Sequence, residues 1–297
     1  MGTAPSPFSD QGPLGALAAG FVDAVPTDPG DDGYFGPASA TWRVHTSLGG
    51  PVAAIRALML QSLHPLVMAG VSQHSHWEQD PLGRLAATSS YVNGVTFGDR
   101  ASAQRRAALV RRVHTRVHGG DEVTGLEYSA EDPVLLLWVH AAIVDSYLAV
   151  DAALGNGLPA TTADSYVAEM VTFAELVGVP RHQVPADVAA LHAYLESMRP
   201  QLRASTSSRQ AIGVLLNPQN VAPALLDLWS ELGDAATAIL PAWAQSMHGR
   251  HAAPIMPARR EELRQLLGVL DLSFETNPGV MEAKERIELR LRAAVRR

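Results

Sequence analysis

Apolar positions recur along most of the chain at the three- and four-residue spacing of α-helices, and no long stretch alternates between apolar and polar residues. Gly, Pro and Asp-Pro signals that start or end helices separate these apolar runs. The pattern therefore predicts an all-α fold, with a single globular multi-helix domain over residues 41–297. Residues 1–40 hold many Pro and Gly residues without periodicity and are predicted to form an irregular N-terminal arm.

The same signals place the individual helices. Gly49-Gly50-Pro51 precedes a helix that is apolar on nearly all sides, and Asp132-Pro133 precedes a long apolar helix. The segment around Tyr128 is compatible with a small hairpin. The other helices are predicted by the same reasoning. The full set is 52–63, 82–97, 101–118, 134–154, 162–177, 187–205, 208–216, 221–247, 259–270 and 281–296.

The long apolar run from Val134 to Leu154 resembles a membrane span in length, but it contains His140, Asp145 and Asp151. Charged side chains at the centre of a bilayer are strongly unfavourable, so the run is predicted to be a buried core helix. The N-terminal residues show neither the basic nor the apolar region of a signal peptide. We therefore expect a cytoplasmic protein without a membrane span, whose apolar C-terminal helices fit a homodimer interface as well as a core.

Composition narrows the classes of function. Hydrophobic residues make up 47% of the 297 residues and charged residues 18%, which is enough for a sizeable core. The net charge of −7 argues against nucleic-acid binding, and the arginines between residues 105 and 116 are predicted to line one solvated helix face. The absence of cysteine excludes disulfides and every metal site that needs a thiolate ligand.

Six of the eleven histidines lie between residues 64 and 145. His114 and His118 are four residues apart and could both ligate a metal, although such a pair is common and His118 also fits an exposed position at a helix end. His140 lies in a helix that is apolar on nearly every side. A buried imidazole there needs a partner, which could be Asp145, a backbone carbonyl or a metal.

Two further sets of polar residues are candidates for binding. Arg84 and Thr88 are one helical turn apart, and an arginine in a weakly charged helix is predicted to face an anion, with the threonine hydroxyl as a second donor. A second metal site could form from His64, His74, His76 and Glu78. The alternative is one core histidine and two loop residues.

The order of short motifs along the chain resembles the MpaB-type oxygenase family, which includes the catalytic domain of latex-clearing proteins, the rubber oxygenases. The motifs run HP…GV-x2-HS…DP-x-GRL-x2-T…FGD…VH-x2-V-x-G…YSA-x-DP-x4-WVHA-x3-DS. The resemblance extends over roughly residues 40–270 and is densest from His64 to Asp145. Several separate motifs in one order are far more specific than any one of them.

This resemblance implies that the helical domain encloses a pocket for haem b, with a histidine as axial ligand to the iron. The matching motif points to His114 as that ligand, with His118 or His140 as alternatives. Arg84 and Thr88 resemble an Arg–Thr step that lies near the haem in latex-clearing proteins, which cleave polyisoprene with O2. His140 is expected to line the pocket or to act in catalysis with that step, and Trp138 and His64 are expected to contact the cofactor.

One position departs from the pattern of latex-clearing proteins, because Ala87 stands where they have a lysine that approaches the iron. A histidine or a water would then occupy that side of the haem. Met59, Met68, Leu63 and Trp138 are candidates for an apolar substrate wall, and plain core is the alternative.

The resemblance predicts a haem b-dependent oxygenase that uses O2 on an apolar, isoprenoid-like or aromatic small molecule. One alternative is a protein that binds haem or an apolar ligand without catalysis. The other is a non-haem metal enzyme that uses His64, His74, His114 and His140.

Overall fold

The computed structural model describes residue 31, residues 33–75, 81–218 and 223–274, and the isolated positions 288 and 292. The side chains of residues 81–86, 223–225 and 269–274 lie outside this description. The described part contains twelve α-helices: α1 Ala40–His45, α2 Gly50–Gln61, α3 Pro65–His74, α4 Pro81–Phe97, α5 Arg100–His114, α6 Pro133–Leu154, α7 Ala160–Val177, α8 Val188–Met198, α9 Thr206–Leu216, α10 Pro223–Ile239, α11 Ala242–Met247 and α12 Pro257–Phe274.

The core is built around α6, which packs most extensively against α2. Helix α10 covers another side of α2, α5 packs against α4, and α1 packs against α7. Trp42 and Trp138 are among the largest fully buried side chains of this core. The all-α fold predicted from periodicity is confirmed.

Helix α6 is the described helix that is long and apolar enough, by length and composition, to cross a membrane. The bent pair formed by α2 and α3, which meet at 105°, passes the same test as a combined segment. However, 67% of the apolar window of α6 is buried inside the protein. This is the environment expected of the core helix of a globular domain.

The predicted helix starts are confirmed where a capping residue is described. The Asp132 carboxylate accepts a hydrogen bond from the Val134 amide, and Pro133 occupies the first turn of α6, where its missing N–H costs nothing. The Asp99 carboxylate caps α5 in the same way through the Ser102 amide. Helix α7 ends at Gly178, whose φ of 115° is the left-handed conformation that glycine tolerates best.

The prediction that one helix continues to His118 is wrong. Helix α5 ends at His114, and His118 lies instead in strand β1 (His118–Gly120), which pairs antiparallel with β2 (Glu127–Ser129). The hairpin around Tyr128 is thereby confirmed. The Gly119-Gly120 pair belongs to its first strand, where Gly119 leaves room for the Tyr128 ring.

Three other boundaries differ from the prediction because of prolines and caps. Pro65 begins a new helix, α3, rather than ending the previous one, and Ser39 caps the short helix α1, which was not predicted. Pro241 separates α10 from α11, so residues 221–247 do not form one helix. The predicted helix 281–296 and most of the predicted N-terminal arm lie outside the described residues.

Candidate functional site

His64 is buried at the junction of α2 and α3, where it is the residue that precedes Pro65. Neither of its ring nitrogens has a hydrogen-bond partner among the described residues. Its ring centroid lies 6.3 Å from that of Trp138. Burial lowers the pKa of His64, and the carboxylates of Asp132 and Asp121 oppose this lowering. The side chain is therefore a neutral imidazole held next to the Trp138 ring.

His140 lies on α6 and is buried against Phe173 of α7, with 5.9 Å between the ring centroids. Its Nδ1 atom is buried and has no hydrogen-bond partner within the described part of the chain. Burial lowers the pKa of His140 to about 3. The imidazole is therefore neutral near pH 7, which is the form that ligates metals or accepts a proton.

Asp145, one predicted partner of His140, is engaged elsewhere. It forms an ion pair of 2.8 Å with Arg56 of α2, and Arg56 is almost fully buried. The same guanidinium donates to the Ser146 hydroxyl at 2.8 Å and to the Ile239 carbonyl at 3.2 Å. Asp145 and Ser146 therefore fix α2 against α6.

His114 is the last residue of α5 and is half-buried. Its position along the helix puts it on the same side as Ala103 and Ala107, which are buried. His114 therefore faces inward at the end of α5. Thr88 is half-buried on α4. Arg84 lies four residues before it on that helix, but its side chain lies outside the described residues.

The histidines at the hairpin have structural contacts. His74 Nε2 lies 3.1 Å from the His118 carbonyl oxygen, and the neighbouring Gln73 amide donates to the Gly120 carbonyl at 2.9 Å. The side chain of His118 is exposed. These contacts dock α3 onto the hairpin.

The predicted second metal site includes His76 and Glu78, which lie outside the described residues. Elsewhere in the described part, no three His, Asp or Glu side chains are grouped closely enough to hold a metal ion. His64, His74, His114 and His140 therefore do not form such a group in the described part, and their role as joint ligands of one ion stays a prediction.

A further buried histidine, His45 of α1, was not among the candidates from sequence. Its Nδ1 lies 2.7 Å from the Thr96 hydroxyl and its Nε2 lies 3.0 Å from the Tyr166 hydroxyl. Its ring also packs against Tyr147, with 4.3 Å between the centroids. Both ring nitrogens of His45 are thus satisfied, in contrast to His64 and His140. Sequence offered no signal for it, because its partners are 51 and 121 residues away.

The residues proposed as an apolar wall are fully buried. Met59, Leu63, Met68 and Trp138 are each at most 2% exposed, and the Trp138 indole N–H donates to the Gln61 carbonyl at 3.4 Å. Two surface cavities are described, of about 550 and 790 Å³. Neither of these two cavities is lined by the predicted histidines.

Comparison with known protein families identifies the family to which this chain belongs. Residues 42–272 match the family described as ER-bound oxygenase mpaB/B'/rubber oxygenase, catalytic domain. The chain belongs to this oxygenase family. No significant match to a curated protein or to a solved structure is found.

Membership of the MpaB and rubber oxygenase family supports a general role as an oxygenase, and hence as an oxidoreductase. The matched residues span the whole candidate site, from His64 to Asp145. They exclude residues 1–41 and 273–297, so the site is contained in the catalytic domain of the family. The resemblance drawn from the order of the motifs is confirmed.

Proposed function

We propose that the protein is a haem b-dependent oxygenase that uses O2 to oxidise an apolar small molecule. The observation that carries this proposal is the pair of buried, neutral histidines, His64 and His140, in the domain of an oxygenase family: both ring nitrogens of His64 and the Nδ1 atom of His140 lack protein partners among the described residues. A buried polar atom without a partner is costly, and such atoms are most often satisfied by water, an ion or a ligand. An iron porphyrin offers both a metal for imidazole nitrogen and propionates for N–H donors.

His114 would hold the haem through its imidazole. It is half-buried at the inward side of α5, and the VH-x2-V-x-G motif of the resemblance falls on this residue. His140 is the alternative ligand, because burial keeps its imidazole neutral. His64 would border the cofactor on the side of Trp138. When bound, haem would supply the iron at which O2 is activated.

Arg84 and Thr88 would provide hydrogen-bond donors on one side of α4. An arginine and a hydroxyl one turn apart can hold either a propionate or a polar oxygen species, because both are acceptors. Ala87 is exposed and carries no group that could ligate a metal. Another group, such as His140 or a water, would then take the role that a lysine at this position would have.

The apolar surroundings favour a substrate without charge. Trp138, Met59 and Met68 exclude water from the region next to His64, and a dry site disfavours charged molecules. The proposal includes a cytoplasmic location, since α6 is a core helix of a globular domain. It also includes the isoprenoid-like or aromatic character of the substrate.

The test is titration of the purified protein with haem, followed by its absorption spectrum. Wild type is expected to give a strong Soret band that saturates at one haem per chain. His114→Ala is expected to lose this band. His140→Ala is expected to raise the Kd for haem about tenfold, which corresponds to a loss of about 1.4 kcal/mol in binding free energy. His182→Ala is the matched control, because His182 is exposed outside the site.

No Soret band in wild type would overturn the haem assignment, and an unchanged band in His114→Ala would overturn the choice of ligand. Haem binding without substrate-dependent O2 uptake would instead indicate a protein that binds haem without catalysis.

A further inference from the structure

Helix α5 has an unusual charge for this chain. It carries five arginines and no carboxylate, whereas the whole chain has a net charge of −7. Three cationic and two aliphatic residues follow one side of this helix and the turn after it. We call this set the arginine stripe: Arg105, Leu109, Arg112, Val113 and Arg116.

The arginine stripe faces away from the protein. Its members are spaced at i, i+4, i+7, i+8 and i+11, which places them on one side of a helix, opposite buried Ala103 and Ala107. All five are exposed, and the two aliphatic side chains are 51% and 52% exposed. The two aliphatic side chains add apolar contact area to this cationic surface.

The positive charge of the stripe is not neutralised nearby. Among the described residues, no carboxylate lies within ion-pair distance of its three arginines. Two carboxylates on neighbouring elements have other partners: Asp31 contacts Arg100 of the same helix, and Glu175 pairs with Arg181 at 2.6 Å. The charge is therefore available to an external partner.

A concave surface adjoins the stripe. The cavity of about 790 Å³ lies between α5 and α7 and is lined by Arg105 of the stripe, together with Tyr34, Gln104, Arg111, Leu176 and Glu175, whose carboxylate pairs with Arg181. Arg111 also donates to the Leu176 carbonyl, which fixes the two walls to each other. A groove of this kind can receive a protruding side chain or loop, which a flat lipid surface cannot provide.

An aromatic path leads inward from this groove. Arg111 lies close enough to Tyr91 for its charge to oppose the rise that burial causes in the pKa of that tyrosine. The Tyr91 ring packs on Phe173 with 4.8 Å between centroids, and its hydroxyl donates to the Phe173 carbonyl at 3.2 Å. Phe173 in turn packs on His140 at 5.9 Å. Closely spaced rings thus join the groove to the candidate site.

We propose that the arginine stripe and the adjoining groove dock an acidic electron-transfer protein. This inference rests on the proposed function, because the acceptor would be the cofactor at the histidine site. In each transfer, the partner would be oxidised by one electron and that cofactor reduced by one, with no bond made or broken. Tyr91, Phe173 and His140 would lie along the route.

The alternative occupant of a cationic helix face is an anionic membrane surface. Two features favour a protein: the groove is concave, and the exposed apolar residues are short aliphatics without the aromatic side chains that anchor proteins at membrane interfaces.

The test measures binding of the haem-loaded protein to an acidic plant-type [2Fe–2S] ferredoxin, by calorimetry at about 0.05 M and about 0.5 M salt. Over this range the Debye length falls from over 10 Å to a few ångströms, so an electrostatic complex should weaken strongly. The double variant Arg112→Glu/Arg116→Glu is expected to weaken binding at low salt by at least about tenfold. The matched control is Arg203→Glu/Arg209→Glu, which changes the net charge equally at exposed positions outside the stripe.

The proposal is overturned if the stripe variant binds the ferredoxin as tightly as wild type does, or if wild type does not bind it. It is also overturned if the stripe variant and the control variant lose binding equally. Vesicles of phosphatidylcholine and phosphatidylglycerol form a second arm, and stripe-dependent binding to them instead of the ferredoxin would identify a membrane surface. Failure of the proposed function has a different signature, namely the absence of a Soret band. The same titration with haem-free protein shows whether docking survives that failure.

Discussion

His45 joins three helices through hydrogen bonds that fix its tautomer. The Thr96 hydroxyl donates its proton to the Val92 carbonyl at 2.8 Å, so it can only accept from His45 Nδ1–H. The Nε2 lone pair then accepts from the Tyr166 hydroxyl. Protonation of Nε2 would break this second bond and place a charge in the core. Burial accordingly lowers the pKa of His45 to about 3.

This lowered pKa predicts a loss of stability in mild acid. Above pH 6.5 the imidazole is neutral in both the folded and unfolded states, whereas between pH 6.5 and about 3 only the unfolded state binds the proton. Lowering the pH from 7 to 5 should therefore reduce the free energy of unfolding by about 2 kcal/mol through His45. Urea unfolding at both pH values measures this loss.

The control is His45→Gln, which cannot be protonated in this range. The variant is expected to be less stable at pH 7 but to lose about 2 kcal/mol less than wild type on acidification. An equal loss in both proteins would show that His45 is protonated in the folded state.

At the level of single residues, the sequence predicted which side chains are buried more reliably than which groups they contact. The apolar neighbours of His140 indicated a buried imidazole, and this is confirmed. Asp145 was one partner considered for it, but Arg56 is the residue paired with that carboxylate. Spacing along α6 could not reveal this, because the competing partner comes from another helix 89 positions earlier in the chain.

At the scale of elements, the Arg56–Asp145 pair fastens α2 to α6. Asp145→Asn should reduce the free energy of unfolding by about 3–5 kcal/mol, because it leaves the buried guanidinium without a counter-charge. Chemical denaturation measures the change. Arg56→Met/Asp145→Leu removes both charges and should recover most of the loss.

His192 provides the comparison for that experiment. Its Nε2 lies 3.8 Å from the other Asp145 oxygen, but its side chain is 60% exposed. Solvent screens such a contact, so His192→Ala should change stability by less than about 1 kcal/mol. A large change in the free energy of unfolding in His192→Ala, or a small one in Asp145→Asn, would contradict the assignment of Arg56 as the main partner of Asp145.

Helix boundaries were predictable where the signal is local. Asp-Pro and Gly-Pro pairs mark the starts of α6 and α2, because capping and the fixed φ of proline act within a few residues. The end of α5 was not predictable in this way. It depends on pairing between β1 and β2 and on the contact of Gln73 with Gly120, which are interactions across the chain.

At the scale of the whole molecule, the order of the motifs predicted the family, and residues 42–272 confirm it. The motifs lie on α3 to α6 and the hairpin. Their order along the chain can be read from the sequence without knowing how these elements pack. The arrangement of His64, His114 and His140 around a cofactor was implied by the resemblance and stays a prediction. His64 faces Trp138 and His140 faces Phe173, and helical spacing alone could not assign these neighbours.

The same unpartnered histidines predict how haem should affect the stability of the whole domain. A ligand that binds only the folded state adds about 2.7 kcal/mol at a free concentration one hundred times its Kd. For a domain of this size, that corresponds to a rise in Tm of about 5–10 °C. Differential scanning calorimetry with and without haem measures the shift.

His114→Ala separates specific ligation from the nonspecific association of an apolar porphyrin. The variant should show little or none of the rise in Tm, whereas His182→Ala should show all of it. An equal rise in wild type and His114→Ala would mean that His114 does not hold the haem. His140→Ala would then separate the alternative ligand from surface contacts, because its buried Nδ1 atom has no partner among the described residues.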